Sequence, residues 1–311
     1  MKIAAVQMVS TPEVERNLDA AWRLIAQAAA EGARLVALPE YFCLLGRSDR
    51  DKLGIAERPG DGPIQRMLAQ AAREHAVWLI GGTLPMRIEG DTEHVFNACC
   101  VYAPDGALAA RYDKMHLFGF DNGNERYDEA RVLKAGGEVV AFDIPPASNE
   151  APGAGDAPAS LRVGLSVCYD LRFPELYRAL TYGPQACGSA ASLPPEGEPP
   201  ALGRPGGGRV ATAPCDLIAV PSAFTHTTGE AHWELLLRAR AVENQTYVIA
   251  AAQGGLHENG RRTWGHSMIV GPWGEVLACL PAGEGVVTAE LDPSRIAAVR
   301  RQLPALAHRR L

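Results

Sequence analysis

Short apolar runs rich in Val, Ile and Ala alternate along this chain with stretches of helical period, and that alternation constrains the fold more than any other feature. It is the pattern of an α/β protein with a largely buried sheet. Strands are predicted over residues 2–8, 34–38, 77–83, 95–102, 107–112, 139–144, 162–167, 217–220, 247–252, 266–270, 275–279 and 286–291. Twelve strands require two sheets or one large one. The first helix is expected to begin at Thr11-Pro12, a cap followed by proline at the first helical position, with Leu18, Trp22, Ile25 and Ala29 on one face. Further helices are predicted over 64–74, 174–180, 230–242 and 293–302, the last capped by Asp292. Pro104-Asp105-Gly106 and Gly271-Pro272-Trp273-Gly274 read as hairpin turns, so antiparallel pairs mix with βα units. No repeat of fixed period is present in the sequence, which argues against solenoids and propellers.

Two segments break the pattern. Residues 145–160 are a Pro/Ala/Gly/Ser stretch between two strands and are predicted to be a surface loop. Residues 182–215 hold 14 Gly or Pro among 34 residues, against 55 among 311 for the whole chain, which is too poor in apolar periodicity to add to a core. A flexible insertion is expected there. Length alone does not decide between one domain and two, although α/β enzymes of this size often fold as one unit, and 47% hydrophobic with 21% charged residues read as a globular chain. The net charge of -6 comes from interspersed signs, with no basic block to neutralise phosphates or hold an anionic membrane. Nucleic acid and membrane are therefore not expected as partners. Gln7 and Ser10 interrupt the first apolar stretch before it reaches signal-peptide length, and the expected location is the cytoplasm. The seven cysteines (Cys43, Cys99, Cys100, Cys168, Cys187, Cys215 and Cys279) have neither regular spacing nor a Cys-x-x-Cys pair, so reduced thiols are expected rather than a disulfide framework or zinc site. Cys99 and Cys100 sit in an apolar strand where neighbours face opposite sides, which makes them core residues.

Three segments carry chemistry. An apolar strand stops at Cys168, and a proline-started helix follows within six residues, an arrangement that can present a side chain beside backbone N–H groups. A second buried strand runs into Glu40, a semi-apolar setting that raises a carboxyl pKa toward the range useful to a general base. Lys114 is flanked by aromatic and apolar residues. Taken alone, a strand-end cysteine is more often a core thiol and a lysine more often a surface residue, and Glu40 could as well face solvent.

Together and in order they resemble the nitrilase superfamily, whose catalytic glutamate, lysine and cysteine occur in contexts like Leu38-Pro39-Glu40, Asp113-Lys114-Met115-His116-Leu117-Phe118 and Cys168-Tyr169-Asp170-Leu171-Arg172-Phe173-Pro174-Glu175. Val220-Pro221-Ser222-Ala223-Phe224-Thr225, Ala239-Arg240-Ala241-Val242-Glu243-Asn244 and Gly265-His266-Ser267-Met268 look like later motifs of that family. The resemblance covers nearly the whole chain apart from the two insertions. It is nearest to the Nit branch and the deaminated glutathione amidases within it, since true nitrilases typically carry Cys-Trp-Glu and carbamoylases an Asn after the cysteine.

The resemblance implies an αββα sandwich of two mixed sheets, in a single domain over 1–311, assembled into a homodimer or a larger homo-oligomer. It implies amide hydrolysis with no metal and no organic cofactor, on a small amide such as deaminated glutathione or another ω-amide of a 2-oxo acid. Cys168 is the implied nucleophile, Glu40 the base, and Lys114 with the backbone N–H of Tyr169 the partners of the oxyanion. The family's second glutamate falls on Glu129, with Glu125 as the other possibility. Arg172 suits the carboxylate of a 2-oxo acid amide, and Phe224 and Thr228 are expected in the pocket wall. His116, His226, His232 and His266 are read as hydrogen-bonding scaffold, because a carboxylate base already fits. A general aliphatic amidase or N-carbamoyl hydrolase on the same machinery is the rival enzyme. A non-catalytic binding or assembly member is the rival of another class, and it predicts a missing member of the glutamate-lysine-cysteine set.

Overall fold

The computed structural model describes residues 1–123, 125–146, 160–182 and 213–310. In chain order these residues form β1 (Lys2–Gln7), α1 (Val14–Ala30), β2 (Leu35–Ala37), α2 (Asp51–Gly54), α3 (Pro63–Glu74), β3 (Trp78–Ile80), β4 (Leu84–Ile88), β5 (Asp91–Tyr102) and β6 (Leu108–Asp113). There follow β7 (Gly119–Asp121), β8 (Arg126–Asp128), β9 (Ala141–Ile144), β10 (Leu161–Leu165), α4 (Pro174–Tyr182), β11 (Leu217–Ala219) and α5 (His226–Asn244). The last elements are β12 (Tyr247–Ala250), β13 (Gly254–Leu256), β14 (Arg262–Trp264), β15 (Ser267–Val270), β16 (Val276–Leu280), β17 (Gly285–Glu290) and α6 (Pro293–Gln302).

Each of the twelve predicted strands is present, and with β4, which the sequence did not predict, they make thirteen strands in two sheets. One has seven strands in the order β17-β1-β2-β3-β5-β4 with β6 also on β5, and the other has six in the order β16-β15-β12-β11-β10-β9. The strand period explains the layering. In β1, Ile3 and Ala5 face the second sheet while Ala4 and Val6 face α1 and α3, and in β5 Cys99 and Val101 divide from Cys100 and Tyr102 in the same way. Helices α4 and α5 cover the outer face of the second sheet with Tyr177, Leu180, Trp233 and Leu237. The result is helix, sheet, sheet, helix.

Helix α1 departs from its predicted start. It begins two residues after Pro12, its cap position is Glu13 with no side-chain cap bond, and Thr11 instead bonds Asn17 through both its amide and its hydroxyl. Its buried face is Asn17, Ala21, Leu24, Ile25 and Ala28, rotated from the predicted stripe. Buried Asn17 decides this rotation, because its amide group is tied to the carbonyls of Thr11 and Cys43. Helix α5 starts earlier than predicted, where Thr225 accepts a hydrogen bond from the Thr228 amide as its cap. Asp292 caps α6 as expected.

What positions the site is the register of the parallel strands. Ala5 pairs with Ala37 and Ala37 with Ile80 in the first sheet, and Leu165 pairs with Ala219 and Ala219 with Ile249 in the second. The carboxyl ends of each set therefore lie along one edge, the place where ligands bind in α/β sheets. A parallel bridge between Met8 and Gln253 ties the two edges together, with the Met8 amide on the Ala252 carbonyl at 3.3 Å and the Gly254 amide on the Met8 carbonyl at 2.9 Å.

Candidate active site

Glu40 lies three residues beyond β2 and is 1% exposed. Its loop is held from both sides. The Leu38 amide bonds the Ile80 carbonyl, and Gly82, at a φ of 56°, lets the end of β3 approach so closely that any side chain there would collide with the Pro39 carbonyl. Tyr41 takes the left-handed conformation at a φ of 57°, fixed by its amide on the Thr83 hydroxyl at 2.9 Å. Gln253 bonds the Glu40 carbonyl at 3.1 Å and Ser10 at 2.8 Å, so the second sheet also holds this loop.

Lys114 follows β6 directly and is fully buried. Its ammonium donates to Glu40 Oε1 at 2.9 Å and to Glu129 Oε2 at 2.7 Å. Glu129 also accepts from the Tyr41 hydroxyl at 2.6 Å and from the Phe118 amide at 2.8 Å. Glu125 instead accepts from the Thr227 hydroxyl at 3.3 Å, so Glu129 is the second glutamate that meets the lysine. Asn97, buried in β5, donates to Glu40 Oε1 at 2.9 Å and completes the group.

Cys168 follows β10 at a φ of 50°, a conformation that costs a non-glycine residue energy and that surrounding contacts must maintain. Its amide donates to the Pro221 carbonyl at 2.9 Å. Asp170, fully buried, accepts from the Val167 amide at 2.8 Å, the Tyr112 hydroxyl at 2.7 Å, the His116 amide at 3.0 Å and His116 Nδ1 at 2.7 Å. This carboxylate clamps the cysteine turn to the lysine segment. The Cys168 thiol and the Glu40 carboxyl are near enough to act on each other's protonation, and the Ala223 amide also acts on the sulfur. Among the described residues the Tyr169 amide has no acceptor, since the Cys168 amide goes to Pro221 and the Asp170 amide to Val167.

Burial raises the Glu40 carboxyl above the ordinary glutamate value of 4.5 even though Lys114 pulls the other way. Burial likewise pushes the Cys168 thiol well above its usual 9.0, reinforced by the charge of Glu40. Burial alone would lower Lys114, but Glu129 and Glu40 outweigh it and the ammonium is strongly favoured. Burial would raise Glu129, and Lys114 with the Phe118 and Tyr41 bonds holds it below the glutamate value instead. The resting arrangement is an ionised Lys114–Glu129 pair beside a thiol that keeps its proton and a carboxylate poised to take it.

Outside the buried group lies a part-exposed margin, the rim, that includes Arg172. The Arg172 guanidinium sits over the Tyr169 ring at 5.8 Å and the Phe224 ring at 5.4 Å, and donates to His232 Nδ1 at 3.3 Å. The Thr228 hydroxyl bonds Thr225 at 2.9 Å, so its polar atom serves the cap of α5. His116 stacks on Phe173 at 3.8 Å with Nδ1 on Asp170, and His266 stacks on Trp264 with Nδ1 on the Trp264 carbonyl. Both rings brace the backbone. Sequence reading missed Asn97, Tyr41, Gln253 and Asp170. Asp170 and Tyr41 adjoin the motif residues and were readable as their supports, whereas Asn97 and Gln253 reach Glu40 only through pairings the sequence does not display. Among the described residues no group of three or more His, Cys, Asp or Glu side chains could hold a metal ion, and no helix is long and apolar enough to cross a membrane.

The chain is similar to known proteins over nearly its whole length. Residues 2–185 and 207–301 match the family model described as carbon-nitrogen hydrolase. A deaminated glutathione amidase from Synechocystis is 36% identical over 308 residues, covering 98% of this chain and 97% of that protein. Omega-amidase NIT2-A from Xenopus laevis is 36% identical over 310 residues, covering 99% and 95%. The crystal structure of Nit3 from Saccharomyces cerevisiae, a member of branch 10 of the nitrilase superfamily, superposes with a TM-score of 0.76 at 26% identity over 100% of this chain and 97% of that one.

Proposed function

Because this chain belongs to the carbon-nitrogen hydrolase family, we propose that it is an amidase that opens a small linear amide through a thioester on Cys168. The observation that carries this reading is the buried Lys114 ammonium bridging Glu40 and Glu129, with the Cys168 thiol facing Glu40. Glu40 takes the thiol proton as sulfur attacks the amide carbon, and passes it to the leaving nitrogen when the carbon-nitrogen bond breaks. Water then gives a proton to Glu40 and attacks the thioester, and the departing thiolate recovers that proton as the acid is released. In both halves negative charge grows on the carbonyl oxygen, where Lys114 and the Tyr169 amide can meet it, each donor contributing roughly 3 kcal/mol in a water-excluded site. Glu129 and Tyr41 fix the lysine against that pull.

The substrate is an ω-amide of a 2-oxo acid, deaminated glutathione or a close analogue. The names of the 36%-identical relatives support this, and so does the Arg172 guanidinium on the cysteine turn, whose planar fork suits a carboxylate at the acyl end. The chain acts as a single hydrolase domain in the cytoplasm, in a homodimer or larger homo-oligomer. Exposed Leu235 and Val242 on α5 and Trp273, Val276 and Leu277 on the β15–β16 hairpin offer apolar surface for that assembly. Acid-quenched intact mass after mixing with deaminated glutathione tests the chemistry. The expected result is an added 2-oxo acyl group that is absent from Cys168→Ala, with the amine product released once per turnover. No adduct and no release on any 2-oxo acid amide would overturn the substrate assignment in favour of a general aliphatic amidase or carbamoyl hydrolase.

A further inference from the structure

A second cationic group lies at the rim and takes no part in the chemistry above. Lys52 of α2 places its ammonium 4.8 Å from the centre of the Tyr41 ring, whose hydroxyl is the one bonded to Glu129. Its side chain is 12% exposed, and among the described residues Asp49, at 3.6 Å, is the one carboxylate within 4 Å of it. That carboxylate is already engaged by Arg261 at 2.9 Å, from the turn between β13 and β14. Two cations therefore share one anion. The Arg261 guanidinium lies over the Tyr127 ring at 5.7 Å, Tyr127 lies against Phe118 at 5.6 Å, and Phe118 meets Tyr169 edge-on at 5.2 Å. Tyr169 lies under Arg172. A wall of three aromatic rings thus has Arg172 at one end and Arg261 with Lys52 at the other.

We infer that Lys52 and Arg261 form an anion subsite for a carboxylate carried by the amine half of the substrate. The direction follows from the chemistry and rests on the hydrolase reading above. Glu40 returns a proton to the leaving nitrogen, so that nitrogen lies beside Glu40, and Tyr41, which bears Lys52, is the next residue along the chain. The acyl half then extends toward Arg172, on the cysteine turn. Burial lowers the Lys52 pKa although Asp49 and Glu129 pull the other way, and an arriving carboxylate would stabilise the charge that burial disfavours. The ligand class is an amide anionic at both ends, with the second carboxylate on the leaving amine.

Three substrates with one acyl half test this: a 2-oxo acid ω-amide releasing ammonia, one releasing a dipeptide with a free carboxylate, and one releasing the same dipeptide as its carboxamide. For the full chain, kcat/KM is expected to favour the free carboxylate over the carboxamide by about tenfold, the effect of one charge-assisted contact. Lys52→Gln and Arg261→Gln are each expected to erase most of that ratio, chiefly through KM, and Lys52→Arg to keep part of it. Arg172→Ala should lower all three substrates while leaving the ratio in place. A wild-type ratio near one, or a ratio that survives both Gln variants, overturns the inference alone. Failure to hydrolyse any of the three overturns the hydrolase reading and the inference with it.

Discussion

The interior of the site and its rim are built by different rules. Glu40, Lys114 and Cys168 sit at or just beyond strand ends, are almost entirely buried, and are locked by buried neighbours such as Asn97, Asp170 and Gln253. Arg172, Lys52 and Arg261 sit on turns and a one-turn helix, are part-exposed, and hold one another through rings and shared charges. The interior has few alternative geometries, because each buried polar atom displaced there loses a hydrogen bond it cannot replace with water. The rim can exchange partners for solvent at small cost. Reaction type is therefore assigned to the interior and substrate choice to the rim.

That division can be broken by measurement. The largest effect is expected for Cys168→Ala, which should lower kcat by at least about 10⁴-fold while moving stability by no more than about 1 kcal/mol, as turnover and thermal melting would report. Glu40→Gln should be comparably inactive, since an amide cannot accept the proton. If either variant retains wild-type turnover, the interior is not the reactive centre. Lys114→Met is expected to cost roughly 10²- to 10³-fold in kcat. It should also cost about 3 to 5 kcal/mol of stability, because it strands two buried carboxylates. A variant that melts like wild type would show that these carboxylates are not charged together.

Arg172→Ala belongs to the rim and should lower kcat/KM for an anionic 2-oxo acid amide by about one to two orders of magnitude, with much less loss on a neutral amide. Equal losses on both would make Arg172 a structural residue. For pH, the signs differ within the interior. Glu40 must be ionised to act and its pKa lies above 4.5, so kcat/KM should fall about tenfold per pH unit once pH drops through that raised value. The depressed Glu129 contributes stability that is present above the unfolded glutamate value and is lost only as pH falls through its lower folded value. Activity should thus disappear at a higher pH than this contribution to the fold, and coincident loss in a parallel activity and circular dichroism titration would contradict the assignment. The smallest effect is expected for Thr228→Val, which removes the hydroxyl bond to Thr225 but keeps the cap bond from the amide. It should cost about 0.5 to 1 kcal/mol in denaturant melts, and a large change in kcat/KM would support the expected place of Thr228 in the pocket wall.

Legibility in the sequence followed the same boundary. Strands were readable because their apolar residues alternate or run unbroken between turn signals, and the three motif segments were readable because each reactive residue ends or follows such a run. The short ribbons β7–β8 and β13–β14 were not, since three-residue strands with mixed polarity carry no period to detect. Helix α1 was found but turned wrongly, because Asn17 is buried by two backbone carbonyls that its own sequence cannot announce. Lys52 and Arg261 are brought together across more than 200 positions by Asp49, and nothing local in either segment marks them. Predictions for 145–160 and 182–215 fall mostly outside the described residues.

The bridge between Met8 and Gln253 has a consequence for the life of the chain before it is finished. Glu40 hangs from one sheet and Cys168 from the other, and the bridge is where those two edges are tied. A half-folded molecule with either sheet formed alone would carry a thiol with no base beside it. Without the Glu40 carboxylate its sulfur has no group placed to take its proton, and an ordinary thiol is mostly protonated at neutral pH. Sheet docking is then the event that brings base and nucleophile together, so the reactive pair exists only once both sheets have formed and met.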